Sequence, residues 1–260
     1  MSHRKYNVAS VSFLNAKPLI FGLDRDHEIN LLLAVPAKLL ELLRSRAADV
    51  ALLPSIDYQR EPGLRIIPSA GIGSDGETLT VRLFSRVPFE QVKTLACDQD
   101  SHTSVALARI ILAERFQIRP EMRELVMNEL QKNETILLIG DKVVSAEPAG
   151  YAHQLDLGEA WKELTGLPFV FAAWMARQGV ELADLPAKLT AARIEGLKAV
   201  ESIIAEHAPA RNWPVDVARD YLTKHLEFQI GEPQLKALAL FYSLAEKHGI
   251  IEKAREISLA

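Results

Sequence analysis

The chain has 260 residues, of which 48% are hydrophobic and 25% charged, so it can bury a sizeable core without disulfide bonds or metals. A formal net charge of -4 argues against a nucleic-acid partner, which would bind a basic face. The single cysteine, Cys97, cannot form an internal disulfide, and its apolar surroundings predict a buried, unreactive thiol.

The N-terminal residues and the longest apolar run indicate in which cellular compartment the protein works. Residues 1–6 are polar and basic, but polar side chains interrupt the apolar residues that follow, up to position 15. We therefore expect no signal peptide and a cytoplasmic protein. The longest unbroken apolar run, residues 169–176, is far too short to span a membrane, and we expect no membrane partner.

Strand and helix signals alternate along the first sixty residues. Short apolar segments predict strands, and Pro36 stands where a helix begins, because its missing N–H costs nothing there. This order is typical of a parallel α/β sheet. The strands are predicted at residues 7–12, 29–35 and 49–54, and the helices at residues 19–23 and from Pro36 onward.

A second α/β unit follows a glycine-rich segment. Residues 71–76 predict a loop, and residues 78–85 predict a long strand that leads into the second unit. The pattern then repeats strand and helix. Further strands are predicted at residues 93–98, 135–140 and 170–175, and a helix at residues 101–116.

Two α/β units and a mostly helical tail after residue 182 predict an α/β protein with two lobes and a ligand cleft between them. We expect lobe 1 to contain residues 1–79 and 173–260, and lobe 2 residues 80–172. Open sheets of this kind bind ligands beyond the carboxyl ends of their strands. The candidate site therefore comprises residues 12–18, 54–58, 98–104 and 140–141.

Four consecutive polar residues, Ser101, His102, Thr103 and Ser104, open the helix that follows a predicted strand. Serine and threonine oxygens at such a place can simply cap the helix. The same hydroxyls, free N–H groups and helix dipole can also bind a carboxylate, and His102 adds a donor near neutral pH. The spacing alone leaves both interpretations open.

Other candidate residues have equally plain structural explanations. Asn15 lies at a strand-to-helix turn, where asparagine is common for local reasons. Thr78 and Thr80 share one face of the predicted strand, although threonine is also an ordinary strand former. Asp141, after Gly140, can cap the next helix or face the cleft.

The sequence lacks the common metal and nucleotide motifs. It has no H-E-x-x-H and no paired cysteines, so we expect no metal. It also has no Walker loop, no Rossmann fingerprint and no G-x-S-x-G elbow. The residues alone therefore predict a two-lobed protein that binds a small, anionic molecule, without specifying a reaction.

Five segments between residues 8 and 176 form a more specific pattern. They read VSFLNAKPL (11–19), DVALLPS (49–55), DQDSHTS (98–104), LIGD (138–141), and DLGEAW continuing through TGLPFVFA to Trp174 (156–174). In this order they resemble the chorismate dehydratase family of the futalosine route to menaquinone. The last segment is the most specific.

The resemblance implies a type II periplasmic-binding-protein fold that works as an enzyme. The implied activity is that of a hydro-lyase, which removes water from chorismate to give 3-[(1-carboxyvinyl)oxy]benzoate, with no cofactor. The substrate's own enolpyruvyl carboxylate would take the proton, so that the protein binds and orients. We expect a monomer or a homodimer.

The resemblance also implies site residues. Asn15 matches the family's asparagine and would orient or polarise the enolpyruvyl carboxylate, and Thr80 is the second catalytic candidate. Ser101, Thr103 and Ser104 match and would bind a carboxylate. The complete set of expected substrate-binding residues is Ser12, Ser55, Thr78, Ser101, His102, Thr103, Ser104, Gly140 and Asp141.

Two positions and one short segment depart from the family pattern. Thr80 occupies a position where the family has serine, and His102 one where arginine is frequent, so that carboxylate affinity would be weaker or dependent on pH. Residues 75–78 also differ from a G-P-V pattern. The main alternative is a non-catalytic solute-binding protein for a small carboxylate. The others are a later enzyme of the same pathway and an effector-binding sensor.

Overall fold

Two five-stranded sheets organise the chain in the computed structural model, which describes residues 6–98, 101–145 and 148–260. The first sheet contains β1 (Tyr6–Ser10), β2 (Ile29–Leu33), β3 (Val50–Pro54), β4 (Leu64–Ser74) and β10 (Phe169–Arg177). The second contains β5 (Val81–Ser85), β6 (Thr94–Cys97), β7 (Glu121–Glu124), β8 (Thr135–Ile139) and β9 (His153–Asp156).

The two sheets share one topology. The first has the order β2-β1-β3-β10-β4, with β1 parallel to β2 and β3, and β10 antiparallel to β3 and β4. The second has the order β7-β6-β8-β5-β9, with β6 parallel to β7 and β8, and β5 antiparallel to β8 and β9. Each sheet thus receives one antiparallel strand, β10 or β5, directly after the chain leaves the other sheet.

Helices surround the sheets and form most of the C-terminal tail. A 3-10 helix at Leu14–Ile20, which contains Pro18, replaces the helix predicted at residues 19–23. The α-helices are α1 (Pro36–Arg44), α2 (Asp57–Arg60), α3 (His102–Phe116), α4 (Asp141–Ser145), α5 (Leu157–Thr165), α6 (Leu185–Lys198), α7 (Val200–His207), α8 (Val215–Asp220) and α9 (Glu232–Lys247).

The core follows from the apolar runs of the strands. Four of the five residues of β3 are buried, as expected for a strand covered on both faces. Trp161 of α5 and Trp174 of β10 are completely buried. Cys97 is buried too, which confirms its predicted position in the core, and burial raises the pKa of its thiol to about 12.

The glycine-rich loop predicted at residues 71–76 is wrong over its first part, because Gly71 and Gly73 belong to β4. Both glycines lie close to the carbonyls of β10. A β-carbon on Gly71 would be 2.6 Å from the oxygen of Ala172, and one on Gly73 would be 2.5 Å from the oxygen of Phe169. The glycines therefore allow two backbones to approach closely inside a sheet.

The strand predicted at residues 78–85 begins only at Val81. Leu79 interrupts it with a φ of 66°, in the left-handed region that a leucine rarely adopts. The short strands β7 and β9 had no counterpart in the sequence prediction. β7 is largely exposed and rich in charged residues, so it lacks the apolar pattern that identifies strands.

The tail also pairs with the outer edge of the first sheet. Gly73 of β4 forms an antiparallel bridge with Glu227, and Ile66 of the same strand forms a parallel bridge with Leu259. The amide of Ala260 donates to the oxygen of Ile66 at 2.9 Å. These contacts hold Glu227 near one end of β4 and residues 259–260 near the other.

Candidate active site

A cavity of about 250 Å³ lies where residues of both sheets and of the C-terminal tail meet. It is lined by residues that follow β1, β6 and β8, the place where open α/β sheets bind ligands. Apolar side chains make up most of its wall, as in pockets for small organic molecules. These side chains are Phe13, Ile72, Val81, Ile139, Phe171 and Leu226.

Seven of the predicted site residues line this cavity, although they come from four separate segments of the chain. Their proximity agrees with the prediction that the site lies beyond the carboxyl ends of the strands. Their contacts with a substrate stay predictions. The seven are Asn15, Thr78, Thr80, Ser101, Ser104, Gly140 and Asp141.

Asn15 reaches the cavity from the 3-10 helix that follows β1. Its Nδ2 donates a hydrogen bond to the hydroxyl of Tyr221 at 3.3 Å. Its Oδ1 is buried, and no residue in the described part of the chain donates to it. An amide has two N–H donors and one acceptor oxygen, so Asn15 keeps one N–H and its oxygen for other partners.

Thr80 is buried on the linking segment, residues 75–80, which connects β4 to β5. Its Oγ1 donates to the hydroxyl of Tyr221 at 3.0 Å. Its backbone oxygen accepts from the amide of Gly140 at 2.8 Å. Thr80 therefore connects the linking segment both to the tail and to the turn after β8.

Tyr221 is the functional candidate that the sequence did not reveal. It begins a single π-helical turn, Tyr221–His225, immediately after α8, and it is 2% exposed. Its ring packs on Trp213 with centroids 5.0 Å apart. Burial raises the pKa of its hydroxyl to about 12, so the phenol is neutral at physiological pH. A tyrosine in a generic helical tail carries no motif, although π-turns are frequent at functional sites.

Thr78 lines the cavity, but its polar atoms are already bonded to Asp156. Its amide donates to Oδ1 at 2.9 Å, and its Oγ1 donates to Oδ2 at 3.0 Å. Asp156 also caps α5 by accepting from Gly158 and Glu159. Burial, the largest effect, raises the pKa of the Asp156 carboxyl above 3.8 despite these hydrogen bonds. The pair thus anchors the linking segment to α5.

Ser101 and Ser104 form the N-terminal cap of α3 at the cavity wall. The Oγ of Ser101 accepts from the amide of Ser104 at 3.4 Å and donates to the Oγ of Ser104 at 2.7 Å. The capping interpretation is therefore confirmed. It is compatible with a carboxylate at the same helix end, since both serines line the cavity.

Lys142 is the single cation among the described residues that line the cavity, and the sequence analysis did not select it. Its Nζ donates to Asp98, which follows β6 and lines the same cavity. Gly140, with a φ of 59°, makes the turn that brings Lys142 and Asp141 to the wall. A glycine is favoured there because the left-handed region suits a residue without a side chain.

The carboxylate of Asp141 faces two residues of the tail. Oδ1 accepts from the indole Nε1 of Trp213 at 2.9 Å, and Oδ2 lies 3.9 Å from Nε of Arg211. Arg211 also donates from Nη2 to the backbone oxygen of Ser12 at 2.6 Å. These contacts make Asp141 a link between the tail and the turn after β8.

Four predicted site residues are not on the main cavity. Ser12 is exposed, and its backbone oxygen accepts a hydrogen bond from Arg211. Ser55 is buried and donates to the oxygen of Val170 at 2.7 Å. Thr103 lines a smaller adjoining cavity of about 110 Å³ that shares Asn15 with the main one.

His102, the fourth of these residues, lies against Asp57 instead of the cavity. Its Nδ1 is 2.8 Å from Oδ1 of Asp57, and its side chain is 42% exposed. The structure thus brings this residue near a carboxylate of the protein and leaves Lys142 as the cation at the cavity wall.

The groups that line the cavity are suited to binding and orienting a ligand. The cavity lining includes neutral donors and acceptors on Asn15, Thr80 and Tyr221, and its charged groups are the pair of Lys142 with Asp98 and the carboxylate of Asp141. Within residues 6–98, 101–145 and 148–260 there is no cluster of three or more histidine, cysteine or acidic side chains that could hold a metal ion. Across the same residues, every helix is too short or too polar to span a membrane.

Comparisons with known proteins show which proteins this chain resembles in sequence and in fold. A chorismate dehydratase from Thermus thermophilus is 28% identical over 257 residues, which cover 92% of this chain and 94% of that protein. A chorismate dehydratase from Campylobacter jejuni is 27% identical over 208 residues, covering 80% of this chain and 79% of that protein. The fold is similar to that of the periplasmic aliphatic sulphonate binding protein SsuA from Escherichia coli. The TM-score is 0.69 at 14% identity, over 98% of this chain and 91% of that one.

These findings settle the fold and the family. The likeness to SsuA confirms the predicted periplasmic-binding-protein-like fold. The family model described as menaquinone biosynthesis matches residues 6–247, which is nearly the whole chain. The chain therefore belongs to the menaquinone biosynthesis family.

Proposed function

We propose that this protein is a chorismate dehydratase, a hydro-lyase that converts chorismate to 3-[(1-carboxyvinyl)oxy]benzoate and water in menaquinone biosynthesis. The observation that carries the proposal is the family match over residues 6–247, together with two relatives named chorismate dehydratase that align over most of the chain. We further propose a cytoplasmic monomer or homodimer with two lobes, residues 1–79 with 173–260 and residues 80–172. The first four residues of β10, 169–172, belong to the sheet of lobe 1, so the second boundary lies slightly earlier in the chain than residue 172.

The reaction suits a cavity that orients its ligand. Loss of the ring hydroxyl and of one ring proton makes the ring aromatic, which supplies much of the driving force. The elimination is redox-neutral and needs no redox cofactor. With the substrate's enolpyruvyl carboxylate as the base, the protein has to hold this group against the ring and exclude water. Apolar side chains such as Phe13, Ile72 and Phe171 supply surface against which a carbon ring can pack.

Asn15 has the atoms that this role requires. One N–H is bonded to Tyr221, and the second N–H is a donor for the enolpyruvyl carboxylate. The buried Oδ1, to which no described residue donates, is an acceptor for a hydroxyl group of the ligand. Asn15 would therefore bind both groups that take part in the elimination.

A carboxylate of chorismate has a second binding place at the start of α3. Ser101 and Ser104 supply hydroxyls, the fifteen-residue helix supplies the positive end of its dipole, and Lys142 supplies a positive charge on the same wall. We propose that this corner binds the ring carboxylate while Asn15 contacts the enolpyruvyl group.

The experiment is to incubate the purified protein with chorismate, without added nucleotide and with EDTA, and to follow products by chromatography and mass spectrometry. We expect 3-[(1-carboxyvinyl)oxy]benzoate to appear well above the uncatalysed rate. Asn15→Ala is expected to lower kcat by at least about 100-fold. The matched variant Asn30→Ala, whose amide bonds to Asn7 on the neighbouring strand outside the cavity, should retain wild-type turnover.

The same experiment separates the enzyme from a solute-binding protein. If chorismate raised the melting temperature and came back unchanged, the protein would be a binder of this ligand. If chorismate neither reacted nor stabilised the fold, the proposed substrate would be wrong.

A further inference from the structure

The hydroxyl of Tyr221 is hydrogen-bonded to both residues that the family resemblance assigns to catalysis. Asn15 and Thr80 come from different parts of the chain, and both donate to the hydroxyl of Tyr221, at 3.3 Å and 3.0 Å. Tyr221 is 206 residues from Asn15 and 141 residues from Thr80 along the chain. The tail thereby completes a site that the two α/β units begin.

Two atoms at this contact, the hydroxyl proton of Tyr221 and Oδ1 of Asn15, have no hydrogen-bond partner among the described residues. The phenol oxygen accepts both bonds, and no acceptor for its own proton is found among the described residues. The Oδ1 of Asn15 is buried and equally without a donor in this part of the chain. Buried polar groups are normally paired, and both residues line the cavity, so a ligand is the expected partner of both atoms.

A hydroxyl group on the ligand satisfies both atoms at once, because it can donate to Asn15 and accept from Tyr221. The proposed reaction expels such a group from the ring. We propose, on the basis of the dehydratase function above, that Tyr221 is a catalytic residue that fixes Asn15 and Thr80 and donates a hydrogen bond to the oxygen of the departing hydroxyl.

The elimination balances with Tyr221 as a donor that keeps its proton. The bond between the ring carbon and the hydroxyl oxygen breaks, and the oxygen leaves with the electron pair. The ring C–H bond breaks as well, its electron pair forms the new ring double bond, and its proton goes to the enolpyruvyl carboxylate. That proton then joins the departing hydroxide to give water.

The hydrogen bond from Tyr221 strengthens while negative charge grows on the leaving oxygen, so it stabilises the transition state more than the bound substrate. The phenol is a donor and not a base at neutral pH, since burial raises its pKa to about 12. Its ring is held by Trp213, and its oxygen is held by two donors, so little reorganisation is needed during the reaction.

The test is Tyr221→Phe, which removes the hydroxyl and keeps the ring on Trp213. We expect kcat for chorismate to fall on the order of 100-fold, with KM changed less than about threefold. Tyr151→Phe is the matched control. Its buried hydroxyl donates to the backbone oxygens of Leu130 and Asn133, away from the cavity, and its loss should leave kcat and KM unchanged.

A double-variant comparison separates catalysis from packing. Because Asn15 and Tyr221 bind the same group, Asn15→Ala with Tyr221→Phe should lose much less than the product of the two single losses. A Tyr221→Phe variant within threefold of wild-type kcat would overturn the proposal. If this variant unfolds, 3-fluorotyrosine in place of Tyr221 keeps the ring and makes the phenol a stronger donor, and an unchanged kcat would then overturn it.

A measurement without chorismate distinguishes failure here from failure of the proposed function. The side-chain amide signals of Asn15, identified in ¹H–¹⁵N spectra by their loss in Asn15→Ala, should shift in Tyr221→Phe and stay in place in Tyr151→Phe. If the wild type does not convert chorismate, the dehydratase assignment and the leaving-group role are both wrong. Unshifted amide signals would show that Tyr221 does not hold Asn15.

Discussion

The indole N–H of Trp213 donates to Oδ1 of Asp141 at 2.9 Å and so joins the C-terminal tail to the turn after β8. Oδ2 of the same carboxylate lies 3.9 Å from Nε of Arg211, which donates in turn to the backbone oxygen of Ser12. The loop before the 3-10 helix that carries Asn15, the tail that carries Tyr221 and the end of β8 are therefore linked through one carboxylate. We infer that Asp141 stabilises the arrangement in which the cavity is complete.

Asp141→Asn should therefore weaken substrate binding more than it slows the chemical step. The neutral amide loses a charge-assisted bond from Trp213 and the attraction of Arg211, about 1.5–3 kcal/mol for a hydrogen bond to a charged group. A smaller population of the complete cavity raises the apparent dissociation constant. We expect KM for chorismate to rise about tenfold, which corresponds to about 1.4 kcal/mol.

The control for this change is Asp216→Asn. Its side chain is 97% exposed and paired with Arg219 on the surface, so KM should not change. Equal KM values for Asp141→Asn and wild type would contradict the role of the carboxylate in completing the cavity.

Substitutions of Thr80 test whether a hydroxyl or a methyl group matters at this position. Thr80→Val keeps the shape and removes the donor to Tyr221, and kcat is expected to fall at least about tenfold. Thr80→Ser keeps the donor and introduces the serine that the family resemblance implies at this position, so kcat should remain within about threefold of wild type. Steady-state kinetics of the pair decide the matter, and a loss of kcat in Thr80→Ser with none in Thr80→Val would mean that the methyl group is what the site needs.

The buried carboxyl of Asp156 should affect the pH dependence of stability. Burial raises its pKa above 3.8 in the folded protein, so this group favours the fold fully below pH 3.8, and that contribution is lost as the pH rises through the folded pKa. We expect the urea midpoint of wild type, relative to that of Asp156→Asn, to fall as the pH is raised from 3 to 7. A constant or rising difference would contradict the raised pKa.

Gly158→Ala should destabilise the protein strongly. A β-carbon at this position would lie 2.3 Å from Cγ2 of Thr78 and 2.5 Å from the backbone oxygen of Gly76, so the linking segment would have to move away from α5. Overpacking of this kind costs about 1–3 kcal/mol. Thermal unfolding of Gly231→Ala gives the comparison, because its nearest contact would be the flexible Gln234 side chain at 3.4 Å. Similar melting temperatures for both variants would contradict the predicted clash.

The two α/β units could be predicted because their signals are local. A buried strand such as β3 is a continuous apolar run, and Pro36 marks the start of α1 by its own chemistry. Asn15 and Ser101 were found in the same way, because each follows a strand directly and the ends of parallel strands meet at one edge. Local sequence patterns can therefore identify the segments that contribute to the candidate site.

The contacts between segments could not be predicted in this way. Tyr221 reaches Asn15 across 206 residues, and nothing in its neighbourhood of sequence indicates a π-turn. Thr78 and Thr80 both line the cavity, as predicted from strand alternation, although the left-handed backbone of Leu79 interrupts the strand. Gly71 and Gly73 indicated a loop by composition, whereas their real function is to let β10 approach.

The pairing of the tail with β4 has a consequence for association in solution. β4 is the longest strand of the first sheet and lies at its edge, and an open edge is a template for strands of other molecules. Its hydrogen bonds at Ile66, Gly71 and Gly73 go to Ser258, Phe228 and Glu227 of the same chain. The tail thus blocks self-association through this edge, and strand-mediated dimers of the first sheet would have to form at β2 on the opposite side.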